Sequence, residues 1–145
     1  MTLLELIIAC AILLILSSAA LPIAKYTVIR QKEAELHRDL REIKDAIDRY
    51  KDAADRNQIR VEIGSEGYPP DLETLVKGVQ LGASSDRKIR FLRKIPIDPM
   101  TGRADWGLRA VQDDPDSTSW GGKNVFDVYS KSTGTALDGT KYSDW

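Results

Sequence analysis

The sequence predicts an α+β protein in which a long N-terminal helix carries a small antiparallel β-sheet head. Three observations lead to this fold class. Nineteen residues without a charge follow Glu5 and end before Lys25. A stripe of apolar residues at helical spacing comes next, and short strand-like runs separated by Gly and Pro turns complete the chain. The 145 residues therefore divide into a membrane-spanning helix at 1–24, an amphipathic helix at 25–57 and a folded head at 58–145.

The first region is long enough to cross a bilayer. At ~1.5 Å of rise per residue its uncharged part spans roughly 28 Å, close to the thickness of a hydrocarbon core. No Lys or Arg precedes the apolar run and a periodic helix follows it, so we expect a retained anchor and not a cleaved secretory signal. The only cysteine, Cys10, lies inside this run, which excludes an intrachain disulfide.

Glu5 is the anomalous residue of the first region, because a carboxylate in a membrane is costly. At the bilayer centre an ionisable group costs roughly 2.5–3.5 kcal/mol, and such groups usually have a partner. Near the membrane edge the cost falls, so two interpretations stay open. The carboxylate either faces the lipid headgroups or pairs with a positive charge on another copy of the chain.

The amphipathic region begins after Pro22, where we expect the helix to kink or open locally. Proline has no backbone N–H and clashes with the carbonyl four residues earlier. Beyond it, apolar residues recur at spacings of three and four, which indicates one buried face. The stripe is short and apolar sequence follows, so we expect it to seat the head and not to form a coiled coil. The stripe contains Leu36, Leu40, Ile43, Ile47, Tyr50 and Ala54, and Asn57 is the expected helix end.

The remaining faces of this helix carry charged residues that we expect to be solvated, together with His37. Acidic and basic residues alternate there, and the net charge of the whole chain is −1, which argues against a nucleic-acid binder. No Ser/His/Asp spacing, Gly-rich phosphate loop or metal-ligand motif is present, so we expect no enzymatic activity. The acidic members are Glu33, Glu35, Asp39, Glu42, Asp45, Asp48, Asp52 and Asp55.

The head begins with a loop, followed by a short helix that Asp71 caps and Gly78 ends. Its strands should form a small antiparallel sheet that packs on the apolar stripe. Downstream of the short helix we expect a polar loop at 79–90, a turn at 98–102, strands within 106–111 and 125–129, and a loop from 130 to 145.

Residues 1–7, Met-Thr-Leu-Leu-Glu-Leu-Ile, at the start of an apolar helix with proline at position 22, resemble the mature N-terminus of type IV pilin-like proteins. Three stretches of the head, 68–76, 91–99 and 127–130, resemble the major pseudopilin of the type II secretion system. The resemblance implies a pilin-like fold and a structural subunit that polymerises into a pseudopilus filament for type II protein secretion. A type IV pilin that forms a surface filament for adhesion, motility or uptake is the alternative.

The resemblance also implies a life cycle and roles for three residues. A prepilin peptidase would cut just before Met1, whose amine is then N-methylated, although the family more often has Phe there. The subunit would wait in the bacterial inner membrane with its head in the periplasm, and a secretion assembly platform with minor pseudopilins would add it to a homopolymer. In the filament Glu5 would neutralise the Met1 amine of an adjacent protomer, and Pro22 would mark a segment that loses helical hydrogen bonds.

Two further implications of the resemblance concern exposed charges. Family members often hold Ca²⁺ in the last loop, where this chain has only Asp138 and Asp144 as carboxylates. We therefore favour a metal-free loop and expect no cofactor, with these two residues as the Ca²⁺ candidates. Salt bridges between protomers are the second implication, and their candidate members are Asp45 and Asp48 on one subunit and Arg87 and Lys88 on the next.

Overall fold

The structure is a computed structural model that describes residues 2–83 and 86–145. It confirms the α+β layout of a long N-terminal helix and small antiparallel sheets. The described elements are α1 (Leu3–Asp55), α2 (Leu72–Lys77), β1 (Val79–Gln80), β2 (Lys88–Ile89), β3 (Trp106–Arg109), β4 (Asp127–Ser130) and a 3₁₀ turn (Tyr142–Asp144).

Helix α1 is 53 residues long and continues without interruption through Pro22. At ~1.5 Å per residue it measures roughly 80 Å. The local opening expected at Pro22 is therefore absent from the single subunit. Proline lacks the hydrogen bond that its own N–H would make, but the residues on either side of it remain helical. The loss of helical hydrogen bonds in a filament stays a prediction.

The C-terminal end of α1 is fixed by its backbone. The helix ends at Asp55, two residues before the expected position, and Asn57 adopts a left-handed conformation with φ of 55°. The N–H of Asn57 donates to the carbonyl of Ala54 at 3.0 Å, and that of Gln58 donates to Ala53 at 2.9 Å. This pair of bonds is the Schellman motif, in which Asn is one of the few side chains that tolerate the left-handed position.

The apolar stripe of α1 forms the core of the head, as predicted. All six of its residues are buried, and Leu36, Ile43 and Ile47 have no exposed surface. Strand β4 packs on the helix, and Val128 is fully buried against this core. Fully burying one such aliphatic side chain contributes roughly 1.5–3 kcal/mol, so the stripe holds the helix and the head together.

Within the described residues, the strands form two separate two-stranded antiparallel sheets and not the single sheet expected. In one, β3 pairs with β4, with Trp106 opposite Ser130 and Arg109 opposite Asp127. In the other, β1 pairs with β2 inside residues 79–90, where a polar loop was predicted. That prediction was wrong because strands of two residues are too short to show an alternating pattern.

Helix α2 confirms the capping prediction and shows how the two hairpin strands are attached. The Asp71 carboxylate accepts a hydrogen bond from the Thr74 N–H at 2.7 Å, and Gly78 follows the helix with φ of 85°. A Cβ at Gly78 would lie 2.7 Å from the carbonyl oxygen of Ile89, so only glycine fits this close approach. The hairpin is thereby held against the end of α2.

Candidate assembly helix and the base of the head

The N-terminal half of α1 projects from the head with its apolar side chains uncovered. Residues 2–28 are all exposed, and large side chains such as Leu3 and Leu14 keep 75% and 72% of their surface accessible. The most apolar 18-residue window has a mean hydropathy of 2.7 and no buried residue. By length and composition, this helix can span a membrane.

Glu5 has a local partner that the sequence analysis did not consider. It occupies the third position of α1 and forms a capping box with Thr2. The Glu5 N–H donates to Thr2 Oγ1 at 3.3 Å, and the Thr2 N–H donates to Glu5 Oε2 at 3.4 Å. These bonds are long, and a carboxylate has about four acceptor positions, so one N–H leaves most of its capacity available. Met1, the expected partner from a neighbouring protomer, lies outside the described residues.

The four salt-bridge candidates are all exposed, two on α1 and two at β2 of the head. Asp45 and Asp48 are exposed on α1, and neither has a salt bridge within the described part of the chain. Lys88 is exposed in β2, where it lies opposite Gln80, and the carbonyl of Arg87 accepts the Leu81 N–H at 2.9 Å. A salt bridge of Asp45 or Asp48 with Arg87 or Lys88 was expected between subunits, so this pairing stays a prediction.

Asp138, one of the two Ca²⁺ candidates, is engaged within its own turn. Its Oδ1 accepts hydrogen bonds from the hydroxyl of Thr140 at 2.6 Å and from the Thr140 N–H at 2.9 Å. These two bonds lower the pKa of Asp138. Asp144 is exposed in the 3₁₀ turn. Among residues 2–83 and 86–145, no group of three or more His, Cys, Asp or Glu side chains could hold a metal ion.

A set of contacts at the base of the head joins the C-terminal segment to α1, and we call it the C-terminal clasp. Glu33 Oε1 accepts hydrogen bonds from the Leu137 N–H and the Tyr142 hydroxyl, both at 2.9 Å. One turn further along the helix, the imidazole of His37 stacks on the indole of Trp145, with ring centroids 3.9 Å apart and planes 7° apart. The clasp therefore consists of Glu33, His37, Leu137, Tyr142 and Trp145.

The sequence analysis missed the clasp because its members are about a hundred residues apart. Glu33 was expected on a solvated face and His37 was expected to be a solvated helix residue. His37 is exposed, but one face of its ring is covered by Trp145. Burial, and to a smaller extent the hydrogen bond to the Glu33 carboxylate, raise the pKa of Tyr142 to about 12. No local pattern in the sequence indicates such a contact.

Asp39 is a second charged residue whose predicted environment was wrong. It was expected on the solvated face of α1, but only 5% of its surface is exposed. Burial raises the pKa of its carboxyl, although the neighbouring Arg38, whose Nε lies 3.5 Å from Oδ1, acts in the opposite direction. Asp39 therefore lies at the edge of the helix face that the head covers.

The turn predicted at 98–102 is present, and its first residue is a fully buried carboxylate. Asp98 accepts hydrogen bonds from the Ser130 hydroxyl at 2.5 Å and from the Met100 N–H at 2.8 Å. The N–H of Gly102 donates to the Asp98 carbonyl at 2.8 Å and closes the turn. Because Ser130 ends β4, these bonds attach the turn to the β3–β4 sheet. The mutual hydrogen bond thus explains why these two polar side chains are buried.

Comparison with known proteins gives no family assignment. No protein-family model, no curated protein and no solved structure matches this chain. A function must therefore be argued from the residues, the exposed helix and the contacts of the head.

Proposed function

We propose that the protein is the major structural subunit of a helical filament, the pseudopilus of a type II secretion system. The observation that carries the proposal is the exposed apolar half of α1. It is continuous with the half that seats the head, so one uninterrupted helix connects a hydrophobic anchor to a folded domain. A contiguous apolar surface of this size needs either lipid or protein around it.

In the proposed life cycle, the apolar surface is covered first by lipid and later by other subunits. In the inner membrane, lipid surrounds residues 3–24, where most of the backbone hydrogen bonds beyond the first turn are made within the helix. In the filament, the same helices from neighbouring subunits pack together and replace the lipid. The head remains in the periplasm, outside the apolar layer. The protein acts as a polymer and not as an enzyme.

Glu5 sets the axial register in this proposal. Its carboxylate pairs with the Met1 amine of an adjacent protomer, while its weak capping bonds leave it free to do so. In an apolar filament core an unpaired carboxylate would be costly, so subunits in the wrong register are disfavoured. The apolar surfaces supply most of the attraction, and the charge pair selects one alignment.

The secretion role depends on the resemblance of the head to major pseudopilins and not on the helix alone. Stretches 68–76, 91–99 and 127–130 carry that resemblance. It assigns prepilin peptidase, minor pseudopilins and a secretion assembly platform as partners. Loss of secretion with surface pili intact, after deletion of the gene, is the expected phenotype. Loss of surface pili with secretion intact would instead favour a type IV pilin.

Glu5→Gln tests the role of the charge in assembly. Glutamine can still accept the Thr2 N–H, because either Glu or Gln completes a capping box, so the change removes the charge and keeps the cap. We expect the variant to be inserted in the membrane with a folded head and to form no filaments. Electron microscopy of purified protein measures filament yield, and carbonate extraction measures membrane insertion.

Glu62→Gln is the matched control, because it removes the same charge from an exposed position on the head. It should leave filament yield unchanged. Normal filaments from Glu5→Gln would contradict the register role. Wild-type protein that carbonate releases from the membrane would contradict the anchor and, with it, the proposed function.

A further inference from the structure

Three basic residues surround α1 between its apolar half and the head, and we call them the basic collar: Lys25, Arg30 and Lys32. All three are exposed. No acidic residue occurs in the 27 positions between Glu5 and Glu33, so the collar has no acidic neighbour on its membrane side. Within the described part of the chain, the three side chains have no ion pair and no hydrogen bond.

The acidic residues directly above the collar are engaged elsewhere. Glu33 is the acceptor of the C-terminal clasp, with the Tyr142 hydroxyl and the Leu137 N–H each at 2.9 Å. Glu35 forms a salt bridge with Arg38 at 3.7 Å, on its side away from the membrane. Neither carboxylate lies within 4 Å of a collar nitrogen. Within residues 2–83 and 86–145, the three positive charges therefore have no ion-pair partner.

The positions of the three charges match the headgroup layer of a membrane. If residues 6–24 span the hydrocarbon core, Lys25 lies at its edge and Lys32 lies about 10 Å further out. The headgroup region of one leaflet is about 5–8 Å thick, and Lys and Arg side chains can extend several ångströms towards it. Tyr26, with 57% of its surface exposed, is in the place where interfacial aromatic residues occur.

The collar presents charge on two sides of the helix. Lys25 and Lys32 are seven residues apart, which places them two turns apart on the same face as the stripe that seats the head. Arg30 lies on the opposite face. Lipid phosphates could therefore approach from beneath the head and from the open side. Basic residues on opposite faces of the helix could not all pair with one acidic side chain.

We propose that the basic collar is a binding site for the headgroups of anionic phospholipids. The inference depends on the proposed membrane anchor but not on polymerisation. Anionic lipids such as phosphatidylglycerol supply the missing negative charges and hold the subunit at a fixed depth before assembly. Each Lys or Arg near an anionic surface strengthens binding roughly five-fold, so three together should contribute about 100-fold.

The test is native mass spectrometry of the full-length chain in mild detergent, titrated with phosphatidylglycerol or with phosphatidylcholine. We expect wild type to bind phosphatidylglycerol more tightly, and the preference should weaken in high salt. The triple change Lys25→Gln, Arg30→Gln, Lys32→Gln should reduce phosphatidylglycerol affinity by about 100-fold and leave phosphatidylcholine binding unchanged. Near-UV circular dichroism verifies that the head stays folded.

A control with the same net charge removes three exposed cations from the head: Arg60→Gln, Lys123→Gln and Lys141→Gln. It should keep the wild-type lipid preference. The inference is overturned if wild type has no preference, if the collar variant keeps it, or if the control loses as much affinity. A chain that stays in the membrane and forms filaments without lipid preference would overturn this inference alone. A chain that carbonate extracts would overturn the proposed function as well.

Discussion

The two halves of α1 share one backbone geometry and differ in everything that surrounds it. Residues 3–28 have no buried side chain, whereas between Leu36 and Ala54 nine side chains are buried by the head. From residue 6 to residue 24 the lower half carries no charged side chain on any face, whereas the upper half is apolar on one face only. A helix that is apolar around its whole circumference suits apolar surroundings on every side. A helix that is apolar on one face suits contact with a single folded domain.

The difference determines where each half obtains its stability. The upper half is fixed by tertiary packing that already exists in the monomer. Within the described residues, no side chain of the lower half is buried, so we expect it to be stabilised by its surroundings in a membrane or in an assembly. A substitution in the upper half should therefore change the folding of one molecule, and one in the lower half should change insertion or assembly.

The largest expected effect comes from truncating a core residue of the upper half. Ile43 is fully buried, so Ile43→Ala should lower the free energy of unfolding of the head by about 2–5 kcal/mol, through lost transfer free energy and a cavity. Ile8→Ala is the matched change in the lower half, where 51% of the side chain is exposed. It should leave head stability unchanged. Urea unfolding of the full chain in detergent, followed by near-UV circular dichroism, measures both.

Equal destabilisation by the two changes would contradict the different roles of the two halves, because it would mean that the lower half packs on the head. A small effect of Ile43→Ala would mean that the stripe is not the main support of the fold.

The second effect concerns the clasp, which joins the head to the junction between the two halves. The pKa of Tyr142 is raised from its ordinary value of about 10 to about 12, so its contribution to stability is fully present below pH 10 and is lost as the pH rises through 12. We expect wild-type head stability to fall over this window. In Tyr142→Phe the decrease in head stability between pH 10 and pH 12 should be smaller, because the titrating phenol is gone. The variant should also be less stable than wild type at neutral pH by about 1 kcal/mol, since it lacks the hydrogen bond to Glu33.

Absorbance at 295 nm monitors the phenol titration, and unfolding at a series of pH values measures the stability. Burial also raises the pKa of Tyr50, which remains in the variant and accounts for part of the residual slope. An unchanged pH profile in Tyr142→Phe would show that the clasp does not hold the junction.

The smallest effect is expected at the stacked pair of the clasp. Aromatic pairs contribute about 0.5–1.5 kcal/mol beyond buried area, so His37→Ala should destabilise the head by roughly that amount. Gln31→Ala, at an exposed position of the same helix, is the control and should have no effect. A double-mutant cycle with Trp145→Ala isolates the pair, and additive effects of the two changes would exclude a direct contribution from the stack.

Local patterns in the sequence determined the parts of the fold that depend on neighbouring residues. The stripe of six residues, the α2 cap at Asp71 with its stop at Gly78, and strands β3 and β4 all follow from spacing, capping and alternation. The apolar run likewise indicated the exposed helix, which is long and apolar enough to span a membrane. Each of these signals lies within a few residues of its consequence, which is why sequence alone could reveal it.

The tertiary structure alone decided the contacts between distant residues. Glu33 was one of eight acidic residues with the same local appearance, and only the folded C-terminal segment singles it out as the acceptor for Tyr142. Burial of Asp39 and Asp98, and the stack of His37 on Trp145, have the same origin. Charge and hydrogen-bonding capacity are encoded at one position, but the partner is fixed by chain topology, which brings together groups about a hundred residues apart. The continuity of α1 through Pro22 does not have this origin, because the residues around Pro22 are exposed; a proline lowers helix stability without determining whether the surrounding turns persist.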